Sequence, residues 1–180
     1  MVEYTADRLD QPDQIIELFR DTFAASEGAE EGAVIGGLVR DLLDTTNRDA
    51  LFAYSAREAG ALAGCIIFTR LHFAEDTRVV YLLSPVAVQT GVQGQGVGQR
   101  LLRFGLDDLR AKGADVAVTY GDPNYYSKVG FQQVTEHEVP APQPLNHPHG
   151  WLAQSLDGSP LAPLQGASRC VGALNKPEYW

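Results

Sequence analysis

The stretch that decides the fold runs from Leu83 to Leu102 and reads LSPVAVQTGVQGQGVGQRLL. It joins a β-rich segment, a turn with alternating glycines and the start of a helix. Gly94, Gly96 and Gly98 have no Cβ, so the backbone can take a positive φ and come close to a ligand. The first amides of a helix lack internal partners and lie at the positive end of the helix dipole. These features together predict a diphosphate-binding site.

Length and composition indicate one globular domain. The chain has 180 residues, of which 44% are hydrophobic, and this is enough for a substantial core. No long apolar run or signal-peptide pattern is present, so we expect a soluble, cytoplasmic protein that does not contact a membrane. The formal net charge of −9 argues against sequence-independent binding of nucleic acid. Small polar or cationic substrates fit this charge better.

The cysteines and histidines do not predict a metal site. Cys65 lies inside an apolar run and is interpreted as a small buried hydrophobic residue rather than a reactive thiol. Cys170 is far from it in sequence and forms no CxxC pattern. His147 and His149 form an HxH pair in a proline-rich loop, with no further ligand nearby.

Hydrophobic spacing and turn residues predict the secondary structure. The predicted strands cover residues 2–6, 51–56, 62–71, 78–88, 116–120, 131–139 and 151–156, and the predicted helices cover residues 12–23, 31–43, 97–112 and 123–129. Val34 is expected on the inner face of the second helix. Pro85 cannot donate to a ladder, so we expect a bulge or splay there. The segments 24–32 and 140–150 are expected to be substrate loops, the first of them flexible.

The glycine turn alone does not specify its ligand. A Rossmann site needs GxGxxG directly after the first strand of a parallel sheet, whereas this turn follows an antiparallel series of strands. A Walker P-loop needs GxxxxGK[ST], and Gln99-Arg100 stands where the lysine and hydroxyl residue would be sought. Neither motif is matched.

Three segments together resemble the GNAT superfamily of acetyl-CoA-dependent N-acetyltransferases. They are Val86–Val88, Gln93–Gly98 and Tyr125–Phe131. The strand followed by [RQ]xxGx[GA] matches at Gln93, Gly96 and Gly98, and the later element matches at Tyr126, Lys128, Gly130 and Phe131. Gly121–Tyr126 is similar to the YhbS-type subgroup. The resemblance covers roughly residues 2–139.

The resemblance implies an α/β (α+β) fold. Its sheet would be mixed, mostly antiparallel, splayed at the motif strand and flanked by helices. We expect a single N-acetyltransferase domain over residues 1–180, in which residues 140–180 form an extension that packs on the sheet. Dimerisation is common in the superfamily, but no sequence feature identifies an interface for a homodimer.

The resemblance also implies a site for acetyl-CoA as acyl-donor cosubstrate. Backbone groups of the motif strand would pair with the pantetheine arm, and amides of the turn would hold the pyrophosphate. The strand residues are Val86, Ala87 and Val88; the turn residues are Gln93, Gly94, Gln95, Gly96, Val97, Gly98 and Gln99. Asn124 either bonds the cosubstrate or caps the short helix.

The implied reaction is direct acetyl transfer to an amine of a small molecule, peptide or protein, with Tyr126 as general acid. An amide of Val86 or Val88 would stabilise the oxyanion. Ser84 could position a water. Alternative bases are His72 and the acidic residues Glu27, Glu30 and Glu31. Competing hypotheses are a non-catalytic acyl-CoA sensor and, less favoured by the acidic charge, a toxin that acetylates aminoacyl-tRNA.

Overall fold

A computed structural model describes all 180 residues and shows four α-helices and eight strands. The order along the chain is β1 (Val2–Ala6), α1 (Pro12–Glu27), α2 (Ala29–Thr45), β2 (Leu51–Glu58), β3 (Ala61–Phe73), β4 (Val80–Val88), α3 (Val97–Ala111), β5 (Val116–Tyr120), α4 (Pro123–Tyr126), β6 (Gln132–Gln133), β7 (Trp151–Ser155) and β8 (Ser168–Arg169). None of the helices combines the length and the apolar character that crossing a bilayer requires.

The strands form one mixed sheet in the order β1-β2-β3-β4-β5-β7-β6, and β8 pairs with β3. Strand β1 is antiparallel to β2, and β7 is antiparallel to both of its neighbours. Strands β4 and β5 are parallel, as a strand–helix–strand crossover through α3 requires. This topology confirms the predicted α/β fold with a mostly antiparallel sheet.

The chain forms two compact units. Unit 1 comprises residues 1–68 and 85–105, and unit 2 comprises residues 69–84 and 106–180. Strands β3 and β4 and helix α3 contribute residues to both. The single domain expected over residues 1–180 stays a prediction.

Helices α1 and α2 of unit 1 correct the predicted loop at residues 24–32. Helix α1 continues to Glu27, Gly28 reverses the chain at φ 103°, and α2 begins at Ala29. The small and polar residues that suggested a loop extend α1 by one turn. Val34, expected on the inner face, is 42% exposed. The three leucines predicted on the same face are buried, and the buried residues of α2 are Gly32, Gly36, Leu38, Val39, Leu42 and Leu43.

In unit 2, the strand predicted over residues 131–139 is reduced to β6. Thr135 and Glu138 end it, because the Glu138 carboxylate accepts a hydrogen bond from the Thr135 amide at 2.8 Å. The amide of Val139 donates to the Thr135 carbonyl at 2.9 Å and closes the turn. The short helix is also briefer than predicted, since α4 ends at Tyr126 and a 3₁₀ turn continues to Val129.

Candidate active site

The glycine turn between β4 and α3 lies in unit 1 and is open to solvent. Gly94 and Gly96 have φ values of 76° and 77°, as the glycine pattern predicts. Residues 93–96 are exposed. The six consecutive N–H groups of residues 94–99 donate to no backbone acceptor in the chain. The turn therefore presents a row of available donors beside a helix N-terminus.

Hydrogen bonds from side chains hold this turn in shape. Gln93 Nε2 donates to the Val88 carbonyl at 2.9 Å, and this bond joins the end of β4 to the turn. Arg100 Nη2 donates to the Gln95 carbonyl at 2.7 Å. These bonds use carbonyl groups of the turn and leave its amides available.

The pairing of strand β4 with its parallel partner ends two residues before a proline. The pairing with β5 runs from Val80–Val116 to Leu83–Thr119, while β4 itself continues to Val88. Pro85 follows at the predicted point of disturbance. Beyond it Val86 and Val88 are half-buried and alternate with a buried Ala87.

Unit 1 also shows where the backbone of Ala87 points. A Cβ on Gly64 of β3 would lie 3.3 Å from the Ala87 carbonyl oxygen, so this carbonyl is directed toward β3. The next bond on the same side runs from the Gln89 amide to the Ala63 carbonyl at 2.8 Å. The half-buried Val86 and Val88 are therefore the better placed of the three predicted strand residues for a ligand.

Tyr126 lies in unit 2 at the end of α4. Asp122 caps this helix by accepting a hydrogen bond from the Asn124 amide at 2.9 Å, and Pro123 occupies the first turn. The Tyr126 ring meets Phe131 edge to face with ring centroids 5.8 Å apart. A Cβ on Gly121 would lie 2.7 Å from Tyr126 Cε2, so only glycine allows this contact.

The surroundings of Tyr126 keep its hydroxyl protonated. Burial is the main reason that the pKa of Tyr126 is raised, and the nearby Tyr125 and Asp122 raise it further. The Thr119 hydroxyl has the opposite effect on this pKa. Since the phenol is neutral at neutral pH, it can donate a proton and cannot serve as a base.

Thr119, which affects the pKa of Tyr126, also contacts β4 where its pairing with β5 ends. Its buried hydroxyl donates to the Leu83 carbonyl at 2.9 Å, one residue before Ser84. Ser84 is half-buried at this point of β4. The role of Ser84 in positioning a water stays a prediction.

The alternative bases lie on other elements. His72 is exposed on β3, where it pairs with Arg169 of β8. Glu27 ends α1, and Glu30 and Glu31 begin α2. None of these side chains has a contact in the structure that favours it as a base.

A cavity of about 670 Å³ in unit 2 contains residues that sequence reasoning did not combine. Asn124, His147 and His149 line it together with Tyr120 and Gln133. The sequence suggests the two histidines only as metal ligands. The pattern that could have indicated a substrate site is the HxH pair itself, because it lies inside a loop that is expected to contact substrate. The predicted capping role of Asn124 is wrong, because Asp122 caps the helix. The hydrogen bond from Asn124 to the cosubstrate stays a prediction.

The sheet is mixed and splayed, a crossover helix follows the glycine turn, and the amides at the start of that helix donate to no backbone acceptor. These features define an α/β acyltransferase. The chain belongs to the acetyltransferase (GNAT) family, whose model matches residues 13–131.

Named relatives agree with this membership. The chain is 35% identical over 139 residues to the uncharacterized N-acetyltransferase YjhQ of Escherichia coli K12, covering 74% of this chain and 76% of YjhQ. Its fold is similar to the crystal structure of the GNAT family N-acetyltransferase YhbS from Escherichia coli in complex with CoA, with a TM-score of 0.79 and 23% sequence identity. The match covers 97% of this chain and 92% of the YhbS chain. A Brucella melitensis GNAT family acetyltransferase in complex with acetyl-CoA has a TM-score of 0.74, 24% identity and coverage of 97% and 98%. The resemblance stated from the sequence is confirmed.

Proposed function

We propose that this protein transfers an acetyl group from acetyl-CoA to an amine of a small molecule, peptide or protein. The observation that carries the proposal is the exposed turn whose six amides, from Gly94 to Gln99, donate to no backbone acceptor. Family membership supports the same reaction class. Both solved structures described above contain CoA or acetyl-CoA.

The donor would be bound mainly by backbone groups. Amides of residues 94–99 would hold the pyrophosphate, because they are aligned at the positive end of α3. The predicted contribution of the Gln93 amide is wrong, because this amide donates to the Thr90 carbonyl at 3.3 Å. The pantetheine arm would pair with residues 86–88 in the manner of an added strand. Asn124 would contribute a side-chain hydrogen bond.

The reaction would be a direct transfer in a ternary complex. The lone pair of the neutral acceptor amine attacks the thioester carbonyl carbon, so a C–N bond forms and an oxyanion develops. An amide of Val86 or Val88 stabilises this oxyanion. The C–S bond then breaks, and Tyr126 gives its hydroxyl proton to the leaving thiolate. The attacking nitrogen carries a surplus proton once the C–N bond has formed, and it gives this proton to the phenolate, which restores Tyr126.

Replacing Tyr126 by phenylalanine tests the acid role. We expect Tyr126→Phe to bind acetyl-CoA with unchanged affinity and to lose kcat by roughly 10²-fold, because a positioned proton donor typically contributes 10²–10⁴-fold. Calorimetry measures the binding, and detection of the released thiol with a panel of amines measures the rate. Tyr125→Phe removes the neighbouring hydroxyl and is the matched control, with activity near wild type.

Each outcome of this experiment has a separate meaning. A wild-type rate in Tyr126→Phe would show that another group supplies the proton. Saturable binding of acetyl-CoA with no turnover on any amine would favour the sensor hypothesis. Absence of binding and of stabilisation by millimolar acetyl-CoA would overturn the proposal as a whole.

A further inference from the structure

The cavity in unit 2 lies between the β5–α4 connection and the segment that leads into β7. Its lining comprises residues 120–124, Gln133 of β6, His147, His149 and Gly150. Its volume of about 670 Å³ is in the range of small-molecule sites. Of its lining residues, the proposed reaction uses only Asn124.

The backbone of both histidines is held from the walls of the cavity. The His147 amide donates to the Tyr120 hydroxyl at 2.6 Å. On the other side, Gln133 Nε2 donates to the His149 carbonyl at 2.9 Å. The two imidazole rings lie 5.9 Å apart, centroid to centroid. The HxH pair is therefore positioned by tertiary contacts together with the local 3₁₀ turn that its proline starts, in which the Gly150 amide donates to the His147 carbonyl at 2.8 Å.

Tyr120 is itself fixed by aromatic packing. Its ring stacks on Trp180 at 6.0 Å with an interplanar angle of 18°, and it meets Trp151 edge to face at 6.1 Å. Trp180 is buried, and its indole N–H donates to the Leu174 carbonyl at 2.9 Å. The hydroxyl that holds the His147 backbone thus has a rigid support.

Two of the lining residues, Gly121 and Gly150, lie against each other. The Gly121 amide donates to the Gly150 carbonyl at 2.9 Å, and a Cβ on Gly150 would lie 2.8 Å from the Gly121 carbonyl oxygen. Gly121 also lies against the ring of Tyr126, as described above. One lining residue, Gly121, is therefore in direct contact with the ring of the proposed proton donor.

The lining favours a cationic, polar ligand. It contains the Asp122 carboxylate, two imidazoles and the side-chain amides of Asn124 and Gln133, and it contains no lysine or arginine. An anion would find no positive partner there, whereas an ammonium group would find a carboxylate and several acceptors. The side chain of a peptide lysine is a narrow apolar chain with one charge. This wider cavity, which exposes apolar surface between its polar side chains, suits a compact amine that is broader than a lysine side chain.

We propose that this cavity binds the acceptor, a small polar primary amine, and that the His147–His149 pair accepts the proton that its ammonium group must lose. The inference rests on the proposed acetyl transfer. One imidazole nitrogen takes the proton and leaves the amine lone pair free to form the C–N bond. The imidazolium then releases this proton to solvent, while Tyr126 completes its own separate proton exchange. The net products are the acetylated amine, the free thiol of CoA and one proton.

The test compares His147→Gln, His149→Gln and the double variant with wild type. We expect acetyl-CoA affinity by calorimetry to be unchanged and kcat/KM for the best small amine at neutral pH to fall by roughly 10²-fold in the double variant. The loss should diminish as pH rises, because the amine then deprotonates without help. An exposed histidine outside the cavity, His137, provides the matched control His137→Gln with a wild-type pH profile.

The panel contains amino sugars, polyamines, amino acid amides and lysine peptides. Faster transfer to a lysine peptide than to every small amine would overturn the substrate class. Unchanged kcat/KM and pH profile in the double variant would overturn the proton-acceptor role. Loss of acetyl-CoA binding in the same variant would place the cavity in the donor site and also overturn the inference. Failure of wild type to bind acetyl-CoA would instead contradict the proposed function.

A second measurement uses the wild-type protein and does not depend on the variants being active. The chain has four histidines, so their imidazole signals can be resolved by NMR and assigned with the single variants. Titration with the best small amine should shift the signals of His147 and His149 and leave those of His72 and His137 in place. Equal shifts of all four signals, or none, would contradict binding in this cavity.

Discussion

Single residues of the glycine turn determine whether its amides can reach a ligand. Gly96 has a φ of 77°, and a Cβ there would meet only the Arg100 guanidinium, with Nη2 at an ordinary contact distance of 3.6 Å. Space therefore does not exclude a side chain at this position. The backbone conformation does, because an L-residue in the left-handed region is less stable by roughly 1–2 kcal/mol.

The variant Gly96→Ala should weaken acetyl-CoA binding by roughly 5- to 30-fold, which corresponds to that energy, since tenfold in affinity is about 1.4 kcal/mol. Calorimetry with acetyl-CoA measures the effect. Gly91→Ala in the preceding 3₁₀ turn is the control, because Gly91 has no positive φ and its Cβ would lie in open space. Equal affinities in the two variants would show that the turn does not bind the donor.

At the scale of elements, glycines on α2 set how closely it packs on α1. A Cβ on Gly32 would lie 2.5 Å from the Arg20 carbonyl oxygen and 2.7 Å from the Ala24 Cβ. Gly36 is next to the same helix, with its Cβ position 3.2 Å from the Arg20 Cβ. Glycine is a poor helix former, but here it permits the close approach of two helices.

This packing predicts opposite effects of the same substitution at two positions in α2. Gly32→Ala should lower the free energy of unfolding by roughly 1–3 kcal/mol, because the backbone of α1 must move away. Gly37→Ala should raise it by roughly 0.5–1 kcal/mol, because Gly37 faces open space and alanine is the better helix former. Urea unfolding measures both. Destabilisation of similar size in the two variants would contradict the close packing of α1 and α2.

At the scale of the whole molecule, one ion pair and the hydrogen bonds of its two side chains connect distant parts of the chain within unit 2. Arg78 pairs with Asp76 at 2.7 Å, and its guanidinium also donates to the carbonyls of Ala162 and Pro163, each at 2.8 Å. The Asp76 carboxylate accepts from the Gln165 amide at 3.1 Å. The turn between β3 and β4 thereby holds the long segment that follows β7.

The ion pair predicts a pH dependence of global stability. The hydrogen bond from Arg78 is the main reason that the pKa of Asp76 falls from 3.8 to about 2, against the effect of burial. Because the folded pKa is the lower one, the stabilisation is complete above pH 4 and is lost as the pH falls toward 2.

The variant Asp76→Asn should therefore lower the free energy of unfolding at pH 7 by roughly 1–2 kcal/mol, after allowance for solvent screening at Arg78. The difference from wild type should shrink between pH 4 and pH 2. Thermal unfolding across this range provides the measurement, with the exposed Asp44→Asn as control. A difference that stays constant down to pH 2 would show that Asp76 acts through packing rather than charge.

The sequence alone was sufficient to predict the secondary structure around the glycine turn. The extent of β5, the start of α3 and the end of the β4–β5 pairing near Pro85 were predicted closely, since glycine, proline and hydrophobic spacing act on neighbouring residues. The resemblance to the acetyltransferase family depended on the same segment. The error at residues 24–32 arose where a small residue acts through a longer-range contact, Gly32 against α1. The error at residues 131–139 arose from a local turn in which the Thr135 amide donates to the Glu138 carboxylate.

Only the tertiary structure determined the cavity beside Tyr126. Tyr120, Gln133 and His149 are separated along the chain and share no local pattern that would connect them. They come together because β7 pairs with both β5 and β6 and because Trp180 packs on Tyr120. Local sequence thus determined the turn proposed to hold the donor, because a turn depends on adjacent φ values. Chain packing determined the surface proposed to hold the acceptor, because its residues meet only when distant segments fold together.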